Sequence, residues 1–168
     1  MTSQYFDLGL IDFRDPWLQD LIWEKENPVS FYQTDAYTKT DLMKHLETLT
    51  KTNWCWFWGS KELGLVMRVH SPNRYVLEPH LLGNVHHWRT MQPIAMNHAF
   101  NDLGIRKINV YTPHQPIRKV MLRYGFEEEG VLPLTYLRPD GQLVDQFILG
   151  LSNTRYEALR LNQPSIPG

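Results

Sequence analysis

The sequence predicts one mixed α/β domain of the α+β kind, a mostly antiparallel sheet with helices on both faces. Three observations carry that expectation. Helix-period segments come first, on either side of Pro28. A run of aromatic and β-branched residues, WCWFWGSKELGLVMRV, then changes the period to that of strands. Beyond residue 90, helix and strand patterns alternate and end on a hairpin, an order typical of layered α+β domains.

The elements follow in order. YFDLGLIDF alternates weakly and predicts a first strand. Asp15-Pro16 predicts a helix start, with Asp as N-cap and Pro at the first helical position, where a missing N–H is harmless. Trp17, Leu18, Leu21 and Ile22 give that helix an apolar stripe, and it is expected to stop before Pro28. A second helix is expected from Thr38, with Asp41 three residues on as a capping-box variant. Leu42, Met43, Leu46 and Leu49 supply its buried face. Strands are expected over 54–58 and 63–70 around a Gly59-Ser60 turn, and over 74–82. Pro79 lacks a ladder donor, so it marks an edge, a bulge or a splayed strand.

MQPIAMNHAFNDLG predicts a helix starting near Thr90, because Pro93 fits only a first turn. Ile94, Ala95, His98, Ala99 and Asp102 share one of its faces, and Gly104 ends it. KINVY, 107–111, is a short strand of buried character. Pro116 opens a helix with Ile117, Val120, Met121 and Tyr124 inside. Gly125 ends it in a left-handed conformation that a side chain would penalise. Phe126 re-enters the sheet, and 132–151 form a hairpin turning at Asp140-Gly141. Residues 1–160 read as one domain and 161–168 as a loose tail.

Composition narrows the function. Hydrophobic residues are 42% and charged residues 21%, which fits a folded globular chain rather than a disordered one. A formal net charge of -1 and the lack of a dense Lys/Arg run speak against nucleic-acid binding. The single cysteine, Cys55, excludes an internal disulfide and a multi-thiolate zinc site. No apolar stretch reaches membrane-spanning length, and MTSQYFDLG is not a secretory signal, so a cytoplasmic protein is expected.

The segment AFNDLGIRKINVYTPHQPIRKVMLRYGFEEEGVLPLTYLRPDGQLVDQFILGL resembles the C-terminal half of the GNAT superfamily of acetyl-CoA-dependent N-acetyltransferases. It looks most like the branch that acetylates ribosomal-protein N-termini. Gly125, Phe126, Gly130, Gly141 and Asp145 carry most of the match; residues 1–70 match only in the order of elements. The resemblance implies that acetyl-CoA wedges between two splayed parallel strands, here 74–82 and 107–111. It also implies that the diphosphate sits on a glycine-containing loop at the start of the next helix, where free N–H groups and the helix dipole favour anions. The implied cofactor-binding residues are Leu81, Leu82, Gly83, Asn84, Val85, His86, His87, Trp88 and His114.

The chain departs from that family in places. Gly83 is present, but His86, His87 and Trp88 stand where glycine and alanine are expected, and Pro93 deletes an N–H. Met121 stands where many members place the tyrosine that protonates the departing thiolate, and methionine cannot serve as an acid. Acyl transfer to an amine needs a base, and Glu78 and His80, two apart on one strand and so on one side, are the candidates. The plain alternative is a solvated carboxylate and a surface histidine.

His86-His87 lacks the further ligands a metal site needs, so no metal is expected. Glu127, Glu128 and Glu129 either attract a cationic amine or form a solvated edge. Asp145 either lines a substrate site or satisfies local backbone. Trp54, Trp56 and Trp58 form one face of a strand, either core or a contact for a protein partner or a second copy. Two functions result: an N-acetyltransferase moving acetyl from acetyl-CoA to a primary amine of a protein N-terminus or small molecule, or a GNAT-fold protein that has lost catalysis and serves in an assembly, such as a phage virion.

Overall fold

The computed structural model describes residues 8–25, 38–52, 55–138 and 140–162. A seven-stranded sheet runs in the order β1-β2-β3-β4-β5-β7-β6. Its strands are β1 (Gly9–Leu10), β2 (Cys55–Ser60), β3 (Leu65–Asn73), β4 (Val76–Gly83), β5 (Lys107–Thr112), β6 (Glu127–Leu137) and β7 (Leu143–Ser152). The helices are α1 (Pro16–Lys25), α2 (Lys39–Lys51), α3 (Trp88–Asn97), α4 (Gln115–Arg123) and α5 (Asn153–Leu161). Neighbouring strands are antiparallel except β4 and β5, which run parallel.

The sheet separates two apolar clusters, because side chains alternate across a strand. Leu18, Ile22, Leu42 and Leu46 of α1 and α2 pack with Cys55, Phe57, Val66 and Leu82 on one face. Met91, Ala95, Met96 and Met121 of α3 and α4 pack with Trp58, Met67, Leu77, Ile108 and Leu149 on the other, where Tyr156 and Leu159 of α5 join them. Among the described residues, helices thus cover both faces, as the sequence predicts.

Local signals place several ends correctly. The Trp17 N–H donates to Asp15 Oδ1 at 3.0 Å, opening α1. Thr38 and Asp41 form the capping box of α2. Gly125 has φ +93°, and a Cβ there would overlap the Leu159 side chain, so α5 packs where only glycine fits. Gly141, at φ +85°, turns the β6–β7 hairpin.

Other expectations change. Gly59 lies inside β2 opposite Val66, where a Cβ would overlap the Leu65 carbonyl; the turn falls later, at residues 61–64, with Gly64 at φ +61°. Of the expected first strand, Gly9 and Leu10 pair with β2; residues 5–7 lie outside the described residues, as do Pro28, Trp54 and the tail from 163. Helix α3 begins at Trp88, preceded by a 3-10 turn over Val85–His87, so Pro93 sits in its second turn. A π-turn over His98–Asp102 then carries Ala99 and Phe100 into the core. Of the residues expected to share one helical face, Ala95 and Ala99 are buried and Ile94 is 46% exposed. Helix α5, between the hairpin and the tail, has no counterpart among the expected elements. Ser152 caps it, accepting from the Arg155 N–H at 3.2 Å. Trp58 is 5% exposed and stacks on His98 at 5.5 Å, so its ring is interior, while Trp56 is half-buried and packs against the same core.

Candidate active site

β4 and β5 pair at only two positions, Val76 with Lys107 and Leu77 with Ile108, and then part. β4 keeps its other neighbour throughout: Glu78, His80 and Leu82 stay in register with His70, Arg68 and Val66 of β3. β5 likewise stays on β7 through Thr112. The result is a fork between two strands that are each held only from behind.

Backbone hydrogen bonds fix what faces the fork. The Tyr75 carbonyl accepts from the Lys107 N–H at 3.2 Å, and the Asn84 N–H donates to the Gly64 carbonyl at 2.8 Å. Strand alternation between those ends turns the backbone of Glu78, His80 and Leu82 toward β3, and that of Leu77, Pro79 and Leu81 toward β5. On β5, the Asn153 N–H bonded to the Arg106 carbonyl at 2.9 Å sets the β7-facing phase, so Asn109 and Tyr111 turn their amides to the fork. Pro79 therefore stands where a ladder donor is not used, which is why the strand tolerates it. Unpaired strand edges of this kind need water or a guest to satisfy them.

The same register gathers side chains on the α1/α2 face. Glu78 and Asn109 flank the crotch, followed by His80 on one arm and Tyr111 on the other. Glu78 Oε2 lies 3.4 Å from His70 Nδ1. The Tyr111 phenol has its pKa pushed up, first by burial and then by the Glu78 carboxylate, with which it hydrogen-bonds. Glu129 lies over Gly150, where a Cβ would overlap its carboxylate, and pairs with Lys107 Nζ at 2.7 Å. The His80 residue is exposed at its surface, while the protein around its ring removes part of its hydration. That surrounding is the largest cause pushing its pKa down to about 4, with the Arg68 guanidinium and His114 imidazole adding to it.

The turn before α3 is the other half of the site. Gly83, at φ +93°, is pressed against the Gly64 carbonyl. Asn84 spends its N–H on that carbonyl, accepts the His87 N–H at 3.2 Å and caps the His86 N–H with its Oδ1 at 3.3 Å. Trp88 is 6% exposed and meets Tyr124 edge to face at 6.5 Å, bridging α3 and the end of α4, with its indole Nε1 buried and without a partner. Of the residues named from sequence, Glu78, His80 and Leu81 lie on the fork, and Leu82 turns away into the α1/α2 core. Gly83 to Trp88 continue from its β4 arm, and His114 stands beyond the end of β5.

The sequence does not single out His70, Arg68 or Tyr111, because only strand register brings them there, whereas it does name Glu129 within its acidic run. The three glutamates are ion-paired: Glu127 with Arg155, Glu128 with Arg118 and Glu129 with Lys107. Asp145 accepts from the Leu134 N–H at 2.9 Å, supporting a backbone bulge where Leu134 has φ +51°. Among the described residues, no group of three His, Cys, Asp or Glu is placed to hold a metal, and no helix is long and apolar enough to cross a membrane. A surface depression of about 330 Å³ between α1 and α2 includes no residue of β4 or β5, so it is separate from the fork.

No family model matches the chain, and no curated protein matches it. Solved structures do. A spermidine/spermine N-acetyltransferase SpeG variant from Vibrio cholerae is 17% identical, with a TM-score of 0.71 over 91% of this chain and 96% of that one. Dodecameric spermidine N-acetyltransferase from the same organism is 16% identical, with a TM-score of 0.69 over 93% and 97%. A protein described as a putative acetyltransferase is 18% identical, with a TM-score of 0.62 over 92% and 89%. The chain has the GNAT acetyltransferase fold.

Proposed function

We propose that this chain is an N-acetyltransferase of the GNAT kind, moving acetyl from acetyl-CoA to a primary amine by direct attack, and that it works in the cytoplasm. The observation that carries this is the fork: two strand edges with unpaired amides, and a carboxylate at the point where they part. An extended chain bearing amide groups, such as the pantetheine arm, can bond to the Leu81 N–H and Pro79 carbonyl on one side and to the Asn109 and Tyr111 amides on the other. Donors aimed at the thioester oxygen would stabilise the charge that develops there. Glu78 is the base, taking the amine proton directly or through water, with His70 and Tyr111 holding its carboxylate. His80, with its lowered pKa, is a weak base. The diphosphate is assigned to the segment from Gly83 to Trp88 at the start of α3.

A second function, a GNAT-fold protein without catalysis that serves in an assembly, is favoured by that same segment. The amides of Asn84, His86 and His87 are already engaged, and Pro93 supplies none, so a diphosphate finds fewer donors. Each charge-assisted bond forgone is worth about 1.5–3 kcal/mol. Calorimetry with acetyl-CoA, followed by CoA thiol release with an amine panel that includes a ribosomal-type peptide N-terminus and spermidine, separates the two. Binding and thiol release by the native chain, with Glu78→Gln binding acetyl-CoA but turning over about 10²–10⁴-fold more slowly, is the expected result. No heat at millimolar acetyl-CoA rejects the enzyme.

A further inference from the structure

We propose that the acceptor carries a carboxylate close to its amine, a free amino acid rather than a diamine or a peptide N-terminus, and that His80 and His114 receive that carboxylate at the open end of the fork. The charge pattern along the fork is polar in a definite sense. At the crotch stand Glu78, on the first unpaired position of β4, and Glu129, whose charge Lys107 offsets. At the open end stand His80, two residues on, and His114, just past the end of β5. Arg68, 5% exposed, lies directly opposite His80 in the β3–β4 register and so beside it on the same face.

The His114 side chain makes no capping bond to α4, and its ring lies edge to face with Tyr136 at 6.2 Å. The Arg68 and His114 fields both reach His80. Two strand residues span roughly 6.5–7 Å, so an ammonium bonded at Glu78 and a carboxylate bonded at His80 belong to a short zwitterion. A diamine would bring its second ammonium into the field of the Arg68 guanidinium, which disfavours it, while a peptide N-terminus would offer a neutral amide there.

The amine half rests on the acyl-transfer assignment; the carboxylate half is a binding claim that can be read without turnover. The probes are glycine, β-alanine and 4-aminobutyrate, their carboxamides, and 1,4-diaminobutane. In CoA release with acetyl-CoA, at least one free acid should exceed its amide in kcat/KM by about tenfold to a hundredfold. His80→Gln and His114→Gln should raise KM for that acid by a clearly larger factor than for its amide, a split that a purely structural role would not give. In parallel, imidazole resonances of His80 and His114 in the native chain should shift with the free acid and not with the amide. Acid-selective shifts without any CoA release would keep the carboxylate site and reject the enzyme. Amides or the diamine turned over as well as the acids would keep the enzyme and overturn the inference. Absence of both acid-selective shifts and acid preference also overturns it.

Discussion

Gly83→Ala tests how the fork and the α3 turn are held together, and Gly141→Ala is its control. Both glycines have nearly the same positive φ, +93° and +85°. An alanine in that region costs about 1–3 kcal/mol of strain at either site. Both substitutions also reduce unfolded-chain freedom alike, so that contribution cancels between them. The surroundings differ. A Cβ at Gly141 meets nothing within 4 Å, whereas one at Gly83 overlaps the Gly64 carbonyl. That carbonyl accepts the Asn84 N–H at 2.8 Å, and relieving the overlap breaks this bond at a further cost of about 1–3 kcal/mol. For a chain of 168 residues each kcal/mol moves Tm by about 2–4 °C. Gly83→Ala should therefore melt about 2–12 °C below Gly141→Ala, by calorimetry or circular dichroism. Equal melting temperatures would show that Gly83 is needed only for its dihedral angle and that the contact with Gly64 does not hold the β4 end in place.

Two further outcomes are expected. Thr38→Ala removes the side-chain acceptor of the α2 capping box, whose Oγ1 lies 3.2 Å from the Asp41 N–H, and should cost about 0.5–2 kcal/mol in urea unfolding with m unchanged. His80 should make stability depend on pH in a defined window. Its folded pKa, about 4, lies below the ordinary 6.5, so between those values the unfolded chain binds the extra proton and stability falls as pH falls. His80→Gln should flatten the slope of stability from pH 6.5 to 4 while leaving the loss below pH 3.8, where Asp15 and Asp41 with lowered pKa values give up their folded-state advantage. An unchanged slope between 6.5 and 4 would mean that the His80 imidazole is as well solvated folded as unfolded.

What was legible in the sequence was what one segment decides for itself. The Asp15-Pro16 start, the Thr38–Asp41 box, the Gly125 stop and the Asp140-Gly141 turn each depend on a few adjacent residues, and each lies where expected. Helix α5 is not legible because its cap, Ser152, is itself the last residue of β7 and no glycine or proline separates strand from helix. Helix α3 starts at Trp88 rather than near Thr90 because a 3-10 turn can precede a helix and move a proline inward without breaking it. The site divides along the same line. Glu78 and His80 were identifiable as two groups on one side of a strand. His70, Arg68 and Tyr111 were not, because their positions follow from the registers of β4 with β3 and with β5, which no local pattern records.

Pro79 joins the two levels. From sequence it allowed an edge, a bulge or a splayed strand, three options that composition alone leaves equal. The register removes two of them. β4 has neighbours on both sides near its start, so it is no edge strand, and its pairing with β3 is regular from Glu78 through Gly83, so no bulge lies there. The remaining option is the splay, and the proline then has a consequence of its own. A residue with an N–H at that position would offer β5 a donor and favour closing the ladder; proline offers none. The fork is thus kept open from the β4 side by a missing hydrogen bond. Its remaining amides, from Leu81 and from β5, stay available to whatever enters.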